Sequence, residues 1–263
     1  MKVRWIVAMA PLVAAALGAV GAPAAKTTRY RIESKTEQVV DLTVAGGAKQ
    51  TVNVNQVVFL SVTLSDTASG KVMHAVLDSI STDAPLPDIA SVVAKARGAW
   101  IHGLVDAWGR GTVVASSADS NEIVAQLKPT LSRFFPVVKP GSKQGDSWTD
   151  TSDVTLKSPS QALKTVRIST YVNAGTSSWD GGSALRFDAT STTSGAGTME
   201  NPMAGTMELE ITSGGTESFF VGSDGTYLGG EAKSNGGSKI RAAMLPDAIP
   251  VTLTSHTTVA VIK

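Results

Sequence analysis

The stretch VNVNQVVFLSVTL, residues 52–64, sets the architecture of this chain. Apolar side chains occupy every second position from Val52 to Leu64, and only Gln56 interrupts them. A period of two residues is typical of a β-strand with one covered face. At about 3.3 Å per residue such a strand would extend about 43 Å, well beyond the usual strand length. We therefore predict a tall, twisted antiparallel sheet with one face covered.

The segments around this stretch show the same alternation. Gly46-Gly47 and Ser69-Gly70 lie between them and predict turns. Three further strand candidates follow from the alternating apolar residues: Tyr30 with Ile32, Val40 with Leu42 and Val44, and Val72 with Val76 and Ile80. The first third of the chain is therefore predicted to be antiparallel β-structure.

Two short helices are predicted next. The prolines in 83–88 end the strands, and the following IASVVAKAR favours a helix from about 88 to 97. In the second helix we expect Asp119 to cap the first turn, Glu122 to reach back to it, and Pro129 to kink or split the helix. Residues 100–116 between the helices read as a hairpin that turns near Gly109-Arg110-Gly111.

From Pro136 onward the composition changes, and 16 of the 25 glycines lie in this part. Strands are predicted near 148–156, 163–172, 184–192, 206–211, 217–221, 225–232 and 250–262. The segments 194–204 and 234–238 read as mobile loops. The chain is thus predicted to be mainly β, with long curved antiparallel sheets in a half-barrel or sandwich-like arrangement, in one body or two similar lobes, and two short helices in the first half.

The first 24 residues predict export. Lys2 and Arg4 precede an apolar run from Trp5 to Val20, and Ala22-Pro23-Ala24 offers small residues for signal peptidase. The alternative is that the run stays as a membrane anchor. With cleavage, we expect no membrane span, a periplasmic or extracellular location, and two sections, 25–135 and 136–263, which form one domain or two.

Composition excludes several classes of function. The chain has no cysteine, and therefore no disulfide, thiolate metal site or thiol nucleophile. Its formal net charge is +1, without runs of like charge, which argues against nucleic acid as a partner.

Catalytic motifs are missing from the sequence. His74, His102 and His256 are far apart, and His74 reads as a hydrogen-bonded histidine on a sheet face rather than a metal ligand. The chain has no Gly-x-Ser-x-Gly elbow and no Ser-x-x-Lys pair. We therefore expect no enzyme activity, no metal and no cofactor.

Two other sets of residues have structural interpretations. Asp146, Asp150 and Asp153 are predicted to be solvated turn acids, because an extended strand would not bring all three to one face. Trp108 and Trp179 lie beside glycine-containing turns, where packing is the favoured reading and stacking on a ligand the alternative.

The centre of the chain carries a resemblance. Residues 135–151 read FPVVKPGSKQGDSWTDT, in which Pro136 is followed by Gly145, Asp146 and Trp148. This pattern resembles an uncharacterised family of secreted bacterial β-rich proteins, in which a Pro and then Gly-Asp-x-Trp separate two β sections. The resemblance implies a fold and a location, and supplies no catalytic residues.

Two functions follow from these expectations. The first is an exported, non-catalytic protein that binds an apolar or lipid-like molecule on a concave sheet face, lined by residues in phase with Val58 to Leu64 and covered by the helices. Lipoprotein carriers of the periplasm offer a fold-level analogy. The second is an envelope-associated module that binds a protein partner and has no small-molecule ligand.

Overall fold

The fold is described by a computed structural model that covers residues 25–85, 88–157, 161–201, 205–243 and 245–262. The predicted signal peptide, residues 1–24, lies outside this range. In chain order the elements are β1 (Ala25–Asp41), a 3-10 helix (Leu42–Ala45), β2 (Lys49–Thr67), β3 (Gly70–Thr82), α1 (Ile89–Ala96), β4 (Trp100–Val105), β5 (Gly111–Ser116), α2 (Glu122–Ser132), β6 (Ser147–Lys157), β7 (Gln161–Trp179), β8 (Gly182–Asn201), β9 (Gly205–Val221), β10 (Tyr227–Ala242) and β11 (Ile249–Val261).

All these strands form one antiparallel sheet of 11 strands, in the order β5-β4-β3-β2-β1-β11-β10-β9-β8-β7-β6. The first and last strands pair near its centre, where Tyr30 lies opposite Val261 and Val40 opposite Val251. The two sections of the chain therefore share one sheet. It is curled into a half-barrel, which confirms the predicted mainly β architecture with two short helices.

The edges of the sheet are β5 and β6, which α2 joins along the chain. This helix contacts both edge strands. Open sheet edges expose unpaired backbone groups, and covering them with a helix protects them from pairing with other chains. The half-barrel thus has a seam between β5 and β6, and α2 lies along it.

The long strand predicted from residues 52–64 is confirmed as β2, which is longer than expected at 19 residues. The prediction of a separate strand at Val40, Leu42 and Val44 is wrong, because β1 ends at Asp41. The Asp41 carboxylate accepts a hydrogen bond from the Thr43 amide at 3.1 Å, which starts the 3-10 helix at Leu42. Local capping therefore overrides the alternating pattern there.

The two helices lie where they were predicted, but α2 begins differently. Asn121 is its N-cap, and the Asn121 side-chain oxygen accepts from the amides of Ile123 at 3.0 Å and Val124 at 3.3 Å. Asp119 instead contacts the Ser116 hydroxyl and the Lys128 ammonium. The expected Asp119 cap is therefore wrong. The helix also continues through Pro129 without a split.

The predicted loops at 194–204 and 234–238 are wrong wherever the structure describes them. Residues 194–201 belong to β8, and residues 234–238 belong to β10. Glycine serves here to let strands approach closely rather than to form loops. A Cβ atom on Gly236 would lie 2.4 Å from the Thr212 carbonyl oxygen, so only glycine fits at this point of the curl.

The apolar core fills the concave face of the first half of the sheet. Val58, Leu60 and Val62 of β2 are buried there, in one cluster with Val124 and Leu131 of α2. Leu60 is 1% exposed and Leu131 is 0% exposed. Both helices are therefore packed inside the curl rather than on its outer surface.

Candidate functional site

The concave face of the second half changes character along the strands. Three successive rows of inward-facing residues run across it, as the strand registers show. The first row is apolar and consists of Phe187, Phe219, Gly230, Val259 and Ile32; the second is mixed and consists of Ala189, Glu217, Ala232, Thr257 and Ser34; the third is small and polar and consists of Ser191, Gly215, Ser234, Ser255 and Thr36. The first row is largely buried, whereas the third row is half-buried. The concave face is therefore less well covered toward its small polar residues.

A large cavity lies in the seam. Its volume is about 770 Å³, and its walls come from β5, α2, β6 and the inward side of β7 and β9. Apolar walls are supplied by Val113, Phe135, Val137 and Phe219. A second cavity of about 340 Å³ lies on the other side of α2, between the end of that helix and strands β1, β9, β10 and β11.

Both cavities share Pro129, Arg133, Arg167, Glu217 and Phe219 among their lining residues. Two arginines therefore lie where the cavities adjoin. Cavities of 300–1,000 Å³ with mostly apolar walls and a few polar groups are the usual form of small-molecule sites.

One end of the seam is closed by direct contacts between its two sides. The Arg110 Nε donates to the Asp150 carboxylate at 2.7 Å, and Asp150 is 9% exposed. Asp150 is therefore a buried ion-pair partner, and its predicted role as a solvated turn acid is wrong. This contact is the largest cause that raises the pKa of Arg110. Asp146, in contrast, lies in a turn as predicted, and its carboxylate accepts from the Lys143 amide at 2.9 Å.

The segment after α2 completes this closure. The Val138 amide donates to the Trp108 carbonyl at 2.7 Å, and the Trp148 indole donates to the Val137 carbonyl at 3.1 Å. Trp148 also stacks on Tyr171, with ring centroids 5.8 Å apart. Trp148 thus anchors the first strand of the second half, as the sequence motif predicts.

Aromatic rings fill the same end of the curl from the inside. Phe134 packs edge-on against Tyr30 at 4.9 Å and against Tyr227 at 5.5 Å between ring centroids. Burial raises the pKa of both tyrosines, so they stay neutral. The Tyr30 hydroxyl donates to the Tyr227 carbonyl at 3.0 Å. The curl is therefore plugged at this end, and the cavities lie toward the end lined with small polar residues.

Arg167 is held by several partners in the wall. It forms an ion pair with Glu217, and it donates to the hydroxyls of Ser169 and Ser191 at 3.2 Å each. Burial lowers the pKa of its guanidinium. The cation of Arg167 is thus neutralised locally and held in a defined orientation.

Arg133 has fewer hydrogen-bond partners than Arg167 and no ion pair among the described residues. It caps the C-terminus of α2, and its Nη2 donates to the Ser152 carbonyl at 3.5 Å. Its Nε is buried and has no hydrogen-bond partner among the described residues. Burial, and to a smaller extent the Arg167 cation, lowers the pKa of Arg133 to about 10. The guanidinium remains a cation at neutral pH.

The histidines lie elsewhere. His74 Nδ1 and His102 Nε2 are 2.9 Å apart on the outer face of β3 and β4, which confirms a hydrogen-bonded histidine on a sheet face. Burial, followed by the charge of His102, lowers the pKa of His74. His256 is exposed on the outer side of β11. No group of three or more metal-binding side chains occurs in the described part of the chain.

Three of the β2 residues expected to line a ligand site, Val58, Leu60 and Val62, are buried in the packed core and line none of the described cavities. Ile32, which pairs with Val58, lines the smaller cavity. The two tryptophans beside turns make packing contacts. Trp179 stacks on Phe220 at 4.1 Å between centroids and donates to the Leu228 carbonyl at 3.2 Å, and Trp108 lies 4.8 Å below the Arg110 guanidinium.

Sequence reasoning missed the two arginines at the cavities. The apolar residues Ile168 and Val172 of β7 point outward and are 47% and 39% exposed, whereas Arg167 and Tyr171 point inward. The alternation of apolar residues in β7 therefore predicts, incorrectly, that the outer face of this strand is the covered one. The sequence offers one signal for the inward position of Arg167: Tyr171 follows it by four residues, so the two side chains lie on the same face of the strand.

None of the helices in the described residues is long and apolar enough to cross a membrane. No protein-family model matches the chain, and no curated protein does either. Among solved structures, the chain is similar to a loop L8 deletion mutant of OmpT, an outer membrane protein of Vibrio cholerae, with 8% identity over 89% of this chain and 99% of that chain and a TM-score of 0.19. It is also similar to OccK9 (OpdG) of Pseudomonas aeruginosa, with 8% identity over 90% of this chain and 98% of that chain and a TM-score of 0.22. TM-scores at this level do not establish a shared fold.

Proposed function

We propose that this protein is an exported, non-catalytic binding protein of the cell envelope that holds a lipid-like molecule inside its half-barrel. The observation that carries the proposal is the cavity of about 770 Å³ between α2 and the sheet edges, with the second cavity of about 340 Å³ beside it. Together they provide space along the seam for an elongated molecule. The site therefore replaces the Val58–Leu64 face as the place where a ligand binds.

The lining of the cavities supports this class of ligand. Phe219, Phe135 and Val137 offer apolar surface, and Ile32 with Val259 does so in the smaller cavity. Burial of apolar ligand surface contributes about 25 cal/mol per Å² before the costs of association. A chain of about ten methylene groups at about 0.8 kcal/mol each therefore has enough driving force for stable binding.

The test is native mass spectrometry, with lipid extraction, of the protein purified from a bacterial host that exports it from the full sequence. We expect a stoichiometric apolar molecule to co-purify. A clean ligand-free mass under gentle ionisation, from several hosts, would contradict the proposal.

A matched pair of variants locates the ligand. Val154 lines the larger cavity and is half-buried, so Val154→Trp is expected to reduce the loaded fraction. Thr190 is exposed on the outer side of β8, so Thr190→Trp adds the same ring without filling the cavity. Equal loading in the two variants would place the ligand outside the seam.

A protein-interaction role is the second candidate, because apolar side chains are exposed on the outer face at the β5 edge. Trp100 and Leu104 of β4 are 37% and 52% exposed. Such patches often mark interaction sites. A ligand-free mass together with self-association or partner binding that is lost in Leu104→Ser would favour this second function.

A further inference from the structure

Of the basic residues that line the larger cavity, Arg133 and exposed Lys157 form no ion pair among the described residues, and only Arg133 has a buried nitrogen without a hydrogen-bond partner. Arg110 pairs with Asp150, Lys128 with Asp119 and Arg167 with Glu217. Arg133 has no carboxylate partner among the described residues, and Asp153 attracts it only from beyond ion-pair distance. Of its five N–H donors, one makes a long bond to a carbonyl and the buried Nε makes none.

Such an arrangement is unfavourable in the empty protein. Arg133 is half-buried, so its cation loses part of its hydration without gaining a counterion, and the buried Nε without a partner adds to the cost. A well-packed apolar side chain at this position would be the better choice for stability alone. An arginine at the junction of two cavities therefore points to an anion that arrives with the ligand.

We infer that the ligand is an amphiphile whose acidic group, a carboxylate or a phosphate, pairs with Arg133 while its apolar chain lies along the cavities. This inference rests on the proposed function and specifies the class of ligand. Arg133 lines both cavities, so an acidic group beside it leaves space on either side of α2 for the chain. Arginine suits this role because its planar donors match carboxylate and phosphate oxygens in pairs. Arg167, held by Glu217, Ser169 and Ser191, adds a fixed second donor group nearby.

The experiment compares ligands of equal chain length on the delipidated protein, with the change in tryptophan fluorescence or the heat of titration as the readout. The probes are dodecanoic acid, dodecyl phosphate and dodecanol below their aggregation concentrations, and inorganic phosphate and acetate alone. We expect the acidic amphiphiles to bind at least about tenfold more tightly than dodecanol. The free anions are expected to bind far more weakly than the amphiphiles.

Arg133→Met tests the residue itself. It is expected to reduce the preference for acid over alcohol to about twofold or less, because the acidic group loses the cation with which it pairs and the alcohol does not. The variant is also expected to unfold at a higher temperature than the parent protein, because it removes a half-buried charge without an ion-pair partner and a buried N–H without a hydrogen bond. A purely structural arginine would show the opposite shift.

Lys157→Gln is the matched control, because Lys157 also lines the larger cavity but is exposed. It removes one cation from the mouth and is expected to keep most of the acid preference. Equal loss in the two variants would mean that a general positive field, rather than Arg133, selects the ligand, and would overturn the inference.

The remaining outcomes are distinct. Equal binding of acid and alcohol by the parent protein overturns the inference and leaves the proposed function intact. Binding of inorganic phosphate as tight as that of dodecyl phosphate overturns it in favour of a free anion. If no amphiphile binds and no lipid co-purifies, the proposed function itself fails.

Discussion

The two halves of the sheet are built from similar strands but use their concave faces differently. In the first half, the face of β2 to β4 carries large apolar residues and packs against α1 and α2. In the second half, β6 to β11, it changes from apolar to serine- and glycine-rich within three rows. One continuous sheet can therefore supply a solid core at one side and an open cavity at the other.

The difference shows that the helices, and not the sheet, define the site. They pack against the large residues of the first half, and α2 lines both cavities, so the cavities lie beside this helix. Protein interiors are close-packed, and voids of this size are uncommon where only stability is selected. This contrast leads to four predictions.

The largest effect is expected in the packed half. Leu60→Ala removes a fully buried side chain and is expected to lower the free energy of unfolding by about 2–5 kcal/mol, because the cavity it leaves cannot collapse. Leu253→Ala, at a half-buried inward position of β11, is expected to cost only about 1 kcal/mol, because its surroundings are already open. Urea denaturation of the two variants measures the difference. Equal losses would abolish the distinction between the halves.

The next effect concerns the curl of the second half. Gly229 has a φ of +129°, and a Cβ atom there would lie 2.1 Å from the Val259 carbonyl oxygen. Gly229→Ala is expected to cost about 1–3 kcal/mol, from backbone strain and the clash together. Gly214→Ala is the control, because its Cβ would meet nothing closer than 3.7 Å. If Gly229→Ala leaves the free energy of unfolding unchanged in urea denaturation, the backbone around Gly229 must relax to accept the side chain.

The seam provides a smaller effect. Arg110→Met leaves the buried Asp150 carboxylate without its closest cation, and we expect a loss of about 1–2 kcal/mol after discounting for the exposure of Arg110. Hydrogen exchange is expected to speed up at amides of β5 and β6. Arg186→Met breaks the exposed pair with Asp188 and is expected to change stability by less than about 0.5 kcal/mol. Unchanged exchange in Arg110→Met would mean that α2 alone holds the edges together.

The smallest effect lies on the outer face of the packed half. The pKa of His74 is below its ordinary value of 6.5, so the unfolded chain takes up the proton first as the pH falls. The free energy of unfolding is therefore expected to decline slightly, by less than about 1 kcal/mol, as the pH falls through 6.5. His74→Gln is expected to flatten this part of the pH profile measured by thermal unfolding. An unchanged slope in the variant would assign the decline to other groups.

Some features of the site were accessible to sequence reasoning and others were not. The Gly145, Asp146 and Trp148 motif correctly indicates a turn and a buried anchor, because its constraints are local. Asp150, four residues after Asp146, is buried only because Arg110 comes from the opposite edge of the sheet. Arg133, just after α2, and Arg167 of β7 likewise come close together only in the folded protein, which no spacing in the chain reveals.

Local sequence patterns were sufficient to identify β2, the helix positions and the mainly β fold, because strand alternation, prolines and helix-forming segments each reflect the geometry of a single segment. It failed for the serine- and glycine-rich parts of β8 and β10, whose strands exist because neighbouring strands pair with them. The pairing of the first strand with the last, the curl, and the choice of which face is filled all depend on contacts between residues far apart in the chain. The cavities and their arginines follow from those long-range contacts, since a void is a property of the surfaces that surround it and not of any one segment.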